Sequence, residues 1–317
     1  MFSSRLRPWI RPELDDEPLH RVILATRPRQ EMHGLGTERT HAVWEPVADL
    51  LRATGPDWDR RVHRISALAH ALPPAVADAW AARRAGDRDA LAVRAYTHVV
   101  RANAYVGLRA VSRAEDACLD AVAAYPNDPT PWIARLSLLR RCRIVAGGSE
   151  LWKEIVTRDP LNRAAHHEML RYLSPRTCGE TPFAMRDFAQ ECAHDLPHGS
   201  PLAVLPLAAR AEHYAHRLER AKRRRDAPDL SGHWYGPAVV REIEDAFDRW
   251  FHGGAPPHAQ AVADLNVLAF ALVMTQQTRR AEAVFRRLGR YMTPFPWDTG
   301  PDPAGTFAYW QRRARAR

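Results

Sequence analysis

The chain has 317 residues, 46% of them hydrophobic, and a formal net charge of +9. That length suits one long helical array or two ordinary domains, and no run approaches the roughly 18 apolar residues of a membrane span. Four scattered cysteines (Cys118, Cys142, Cys178 and Cys192) lack the paired spacing of a disulfide framework or a zinc knuckle.

Residues 1–42 are rich in Pro, Arg and acids and read as a partly irregular N-terminal arm. Within it, Leu19 to Thr26 is apolar enough to dock. The opening Met1-Phe2-Ser3-Ser4-Arg5 has no apolar core of a secretory leader, so a cytoplasmic location is expected. A helical period begins at Val43, with Trp44, Val47, Leu50 and Leu51 on one face. Trp58, Val62, Ile65, Leu68 and Ala69 mark a second helix, ended by Pro73-Pro74. Val76, Ala79 and Trp80 start a third, interrupted at Gly86-Asp87. Residues 43–88 are therefore expected to be N-terminal helices packing on the hairpins of residues 89–216.

Start signals then become frequent. Ser112 and Glu115 have the spacing of a capping box. Thr130-Pro131, Thr181-Pro182 and Ser200-Pro201 each place a hydroxyl before a proline, which suits the first helical position because it lacks an N–H. Residues 89–216 read as helical hairpins: one from Asp89 to Tyr125 turning near Gly107, one from Pro131 to Arg158 turning at Gly147-Gly148, and one from Arg163 to Leu196. A fourth helix pair is expected to begin at Pro201, its period dissolving into the run Arg217 to Asp226. Residues 217–236 are expected to be a basic linker, 237–293 helices ending in a last hairpin, and 294–317 a Pro-rich and Arg-rich tail.

A spacing of 34 residues links Cys118 to Trp152 and Pro126 to Pro160. Ala114, Cys118, Ala121 and Pro126 precede Trp132, and the pattern returns in Leu265, Leu268, Ala269, Leu272, Ala281, Phe285 and Leu288. This resembles tetratricopeptide repeats, in which small residues allow close helix crossing and larger ones fill the space between hairpins. Leu151 to Leu173 and Ala281 to Trp297 are also similar to uncharacterised helical-repeat proteins of high-GC actinobacteria, a group that implies no activity. The fold implied is all-α, a right-handed α-solenoid of hairpins. The function implied is a non-enzymatic protein–protein interaction module or scaffold, with a peptide or partner helix in its groove. On that register Asn103, Ser137, Arg140, His167, Arg171 and Asn266 line the groove, and Arg140 and Arg171 favour acidic ligands. The Lys/Asn set that grips a peptide C-terminus in some members of the family is missing.

The chemistry-bearing residues offer little else. His166, His167, His194, His198, His213 and His216 form the densest histidine group, but no HExxH spacing occurs and a zinc site needs three or four converging donors. No catalytic residue, metal or cofactor is expected, and a metal-dependent enzyme built on that group ranks third. The second reading is a regulatory protein touching nucleic acid or acidic partners through arginine. Its patch is Arg220, Lys222, Arg223, Arg224 and Arg225, where no aromatic is interleaved for base stacking. All basic residues except Lys153 and Lys222 are arginine, which points to a general surface bias as much as to a partner. No membrane partner is expected.

Overall fold

A computed structural model describes residues 7–26, 37–105, 107–179, 181–226, 230, 232–254 and 257–316, with no side-chain description for 37–42. Every regular element among them is helical; an isolated bridge between Trp9 and Tyr291 is the one β-type contact among the described residues. The chain divides into a hairpin unit, Asp16–Tyr172, and a second unit made of Leu173–Arg317 with the first 15 residues.

The hairpin unit holds α1 (Glu17–Thr26), α2 (Thr37–Arg52), α3 (Trp58–Ala71), α4 (Pro74–Arg83), α5 (Arg88–Val99), α6 (Leu108–Ala124), α7 (Pro129–Cys142), α8 (Gly148–Arg158) and α9 (Arg163–Tyr172). Helix α5 packs on α3, α4, α6 and α7, and α7 packs on α5, α6, α8 and α9. Their starts share one chemistry. Asp57, Asp87 and Asp128 cap α3, α5 and α7 by accepting backbone N–H groups, and Asn162 accepts from the Ala165 N–H at the start of α9. Each cap satisfies donors that the first helical turn leaves without partners, and the aspartates also meet the positive end of the helix dipole.

The opposite ends are closed by arginines. Arg101 donates to the Ala69 and Leu72 carbonyls at the end of α3, at 2.9 and 2.6 Å. Arg141 donates to the Val99 and Ala102 carbonyls at the end of α5, both at 3.0 Å. The guanidinium of one hairpin thus closes the helix of the hairpin before it. Gly148 opens α8 where a Cβ would lie 2.3 Å from the Tyr172 ring, so only glycine lets α9 approach this closely.

The second unit holds α10 (Pro182–Ala193), a 3-10 turn (Pro201–Val204) leading into α11 (Leu205–Arg224), α12 (Pro237–Glu244) continuing as a π-helical turn (Asp245–Phe251), α13 (Ala261–Met274), α14 (Thr278–Leu288), α15 (Pro294–Trp297) and α16 (Pro303–Arg315). Helix α13 is buried along nearly its whole length, as its largely apolar sequence requires, with Asp264 and Asn266 buried along with it. Around it runs an aromatic chain. Tyr214, Trp234, Phe270, Trp297 and Phe307 meet in succession at ring-centroid distances of 6.0, 5.6, 5.2 and 5.4 Å. The π-helical turn leaves the Arg249 carbonyl free to accept the Gly199 N–H at 2.8 Å.

Several boundaries differ from the sequence expectation. Helix α6 begins at Leu108, so Ser112 lies inside it, with its hydroxyl toward Asp116, while Glu115 pairs with Arg135. Asp128, not Thr130, caps α7, and the Thr130 hydroxyl is buried without a hydrogen-bond partner. The unit boundary falls at Tyr172/Leu173, inside the stretch expected to form a third hairpin, and α10 packs on α11. Residues 217–224 continue α11 instead of starting a linker; parts of the expected linker, Ala227–Asp229 and Ser231, lie outside the described residues. The expected tail contains α16, capped by Asp302 and anchored by fully buried Phe307. The expected arm contains α1, with Leu19 and Ile23 buried, and the start of α2; the rest of it, apart from 7–16, lies outside the described residues.

Candidate interaction site

The expected groove register falls on α5, α7 and α9, and α3 packs against all three helices. Arg61 of α3 is fully buried, with Nη1 2.5 Å from Asp89 and Nε 3.3 Å from Asp128. A buried guanidinium at the starts of two helices is stable only because both carboxylates are positioned for it. Asp59, two residues earlier, accepts the Ala164 N–H at the start of α9, at 3.1 Å. Burial raises the Asp59 pKa above its ordinary value, more than the hydrogen bonds of Ala164 and Arg163 lower it. These polar contacts gather at the N-terminal ends of the helices.

Most of the expected groove set lies toward the other ends. Ser137 and Arg140 sit on the last turns of α7, and His167 and Arg171 on α9. Glu168 accepts from Arg140 in a short contact and lies 3.4 Å from Arg171. Burial alone would raise the Glu168 pKa, but Arg140 and Arg171, with a hydrogen bond from Ser137, hold it below its ordinary value. The chain therefore supplies internally the carboxylate that an acidic ligand would bring. Arg171 is half exposed and remains reachable; His167 is buried. Asn103 lies just beyond α5, where its side chain accepts the Tyr105 N–H at 2.8 Å.

Asn266 does not join this set. It belongs to the second unit, is fully buried on α13, donates to the Val262 carbonyl and accepts from the Trp297 indole at 2.9 Å. It reads as groove-lining from its repeat position, but an apolar helix buried on every side turns that position into core.

The histidine group is divided. His166 and His167 belong to the hairpin unit, where His166 contacts the Asn162 carbonyl and the Trp152 ring. In the second unit His213 lies 5.3 Å, ring to ring, from His233, a partner the sequence spacing does not single out. Burial first, then nearby positive charge, pulls both imidazoles down to about 4. Among the described residues no three His, Cys, Asp or Glu side chains converge as metal ligands. In the basic patch, Arg220, Lys222, Arg223 and Arg224 are exposed on the last turns of α11, and Arg225 closes the helix in a left-handed conformation. Cations there complement the negative end of the helix dipole.

Two features escape sequence inspection. An open cleft of about 810 Å³ lies between α4, α5 and α6, floored by Ala81, Ala82, Ala123 and Ala124. On its rim Arg94 bonds Asp78 at 3.3 Å and Asp120 at 3.0 Å. The second is the arginine closure of helix ends by Arg101 and Arg141. A recurring basic residue at each helix end is its sequence signal, diluted here by arginine everywhere.

No family model matches the chain, and no curated protein or solved structure matches it either.

Proposed function

We propose that the chain is a non-enzymatic protein-interaction module. In this view α5 to α9 stack as a right-handed solenoid of the tetratricopeptide kind, with α3 packed on it, and a peptide or partner helix lies against the face of α5, α7 and α9. Support comes above all from α3, which packs on these three helices and inserts Arg61 between carboxylates at the starts of two of them. A surface that holds one helix of its own chain by side-chain pairing suits a second segment beside it. The N-terminal end of the face is taken by α3, so the partner would meet Ser137, Arg140 and Arg171. With Glu168 already between the two arginines, apolar burial with hydrogen bonding, more than charge, would select the ligand.

A photo-crosslinking residue placed at Arg171, and separately at exposed Glu154 on α8, tests this in the producing cells. Capture of one protein from position 171 but not from 154 is the expected result. Equal capture from both positions, or from 154 alone, would remove this face from consideration.

A further inference from the structure

Helices α3, α5 and α7 run in parallel, because Arg61 joins their starts and the arginine closures join their ends. The turns after α5 and α7 therefore emerge at one end of the hairpin unit. The Ala104 N–H donates to the Arg141 carbonyl at 3.2 Å, tying these two turns together. That end carries the most exposed large apolar side chains among the described residues. Tyr105 is 92% exposed, Leu108 88%, Val145 64% and Ile144 37%. The turns within 66–77, 99–105, 107–111 and 139–149 contain no Asp or Glu; the acids that flank them are Asp78, paired with Arg94, Glu150, exposed in the first turn of α8, and Glu168, buried against Arg140. Arg109 and Arg143 are exposed there, with no ion pair among the described residues.

Apolar side chains on projecting turns, with Arg109 and Arg143 exposed beside them and no acid on the turns themselves, suit one occupant best. We propose that this end of the hairpin unit docks on an anionic lipid surface. Tyr105, Leu108 and Val145 enter the interfacial layer, and Arg109 and Arg143 meet the headgroup phosphates. A second copy is disfavoured, because a symmetric contact would set Arg109 and Arg143 against their own copies, with no Asp or Glu on the turns that carry them. A protein partner would need pockets shaped to separate projecting tips, whereas a bilayer receives them without a matching shape. The expectation of no membrane partner rests on the missing spanning stretch. No helix among the described residues is long and apolar enough to cross a bilayer, which does not bear on contact at its surface.

The full chain is sedimented with vesicles of phosphatidylcholine alone and with vesicles containing roughly a third phosphatidylglycerol, at low and at physiological salt. Binding to the anionic vesicles only, weakened by salt, is expected. Tyr105→Ser with Leu108→Ser should weaken partitioning about tenfold or more, and Arg109→Gln and Arg143→Gln roughly fivefold each. All four side chains are exposed, so an unchanged melting temperature accompanies each variant. Three results overturn the proposal: equal binding to both vesicle types, anionic binding untouched by the Tyr105 and Leu108 changes, or the same changes abolishing self-association or capture of an acidic protein while vesicle binding persists.

Discussion

The two units solve the same packing problem with different chemistry. In the hairpin unit, parallel helices bring all their starts to one end and all their finishes to the other. Aspartates gather at the starts and arginines at the finishes, and Arg61 and Glu168 carry charge into the interior. The second unit has no such parallel set tied end to end among its described residues. It surrounds one helix, α13, with large rings, and the polar side chains buried on that helix pair singly, Asp264 with His258 at 2.7 Å and Asn266 with Trp297 at 2.9 Å. Repeated hairpins can thus be locked by chemistry repeated at their ends, while an irregular bundle depends on a few bulky side chains in specific places. If that contrast is sound, each unit should fail in its own way.

The largest effect is expected at Trp297, fully buried against Phe270 and Phe307. Trp297→Ala should cost about 3 to 5 kcal/mol through lost contact and an unfilled cavity. Hydrogen exchange resolved by segment should show the loss in α13, α15 and α16, with α5 and α7 unchanged. Protection falling equally in both units would erase the distinction. The hairpin counterpart is Arg61→Ala, which leaves buried Asp128 with only the more distant Arg88, at 3.7 Å, and should cost about 3 kcal/mol. Adding Asp128→Asn to that variant should restore part of the loss, because the stranded charge is gone while a side-chain cap remains. An Arg61→Ala chain as stable as one carrying Arg83→Ala, on the exposed end of α4, would show that the buried pair does not lock α3 in place.

The same contrast explains what is legible in the sequence. Hairpin boundaries can be read where breakers are local: Pro73-Pro74, Gly86-Asp87 and Gly147-Gly148 each fall at a boundary between helices. Ser112 misleads because a capping box is a local pattern, and α6 is already under way at Leu108. Interior charge is not legible at all. Arg60 and Arg61 are adjacent and chemically identical, yet only the second turns inward to Asp89 and Asp128, positions supplied by distant helices. Asn266 fails the same way in reverse, since burial on every side comes from the elements packed around α13. The exposed end with Tyr105 and Leu108 leaves a trace in the sequence, the missing acids, but only the fold shows that the two turns lie side by side.

A smaller effect sharpens the hairpin side of the comparison. Gly148→Ala puts a methyl group 2.3 Å from the Tyr172 ring, which is buried and whose hydroxyl donates to the Val145 carbonyl. The ring must move, at a cost of about 1 to 3 kcal/mol. In a Tyr172→Leu background the same substitution should cost much less, and this non-additivity, measured by urea unfolding, is the signature of direct contact. Additive losses would mean that α8 and α9 are spaced by something other than this glycine.

The smallest effect is acid sensitivity in the second unit, where His213 is half-buried and His233 buried. His213 and His233 titrate near 4 in the folded chain, against about 6.5 when unfolded, because burial and the neighbouring Arg210 and Arg217 disfavour their cations. Between those values the unfolded chain binds protons that the folded chain does not, so stability is complete above about pH 6.5 and declines as pH falls toward 4. His70 and His166 in the hairpin unit are also lowered by burial, but Asp16 and Glu168 there are held below the usual carboxylate range and surrender their contribution only at lower pH. Replacing His213 with Gln and His233 with Asn should therefore flatten the decline in α11 and α13 while leaving that of α7 and α9 in place. A decline in α11 and α13 that survives both substitutions would assign the acid sensitivity to groups other than these two imidazoles.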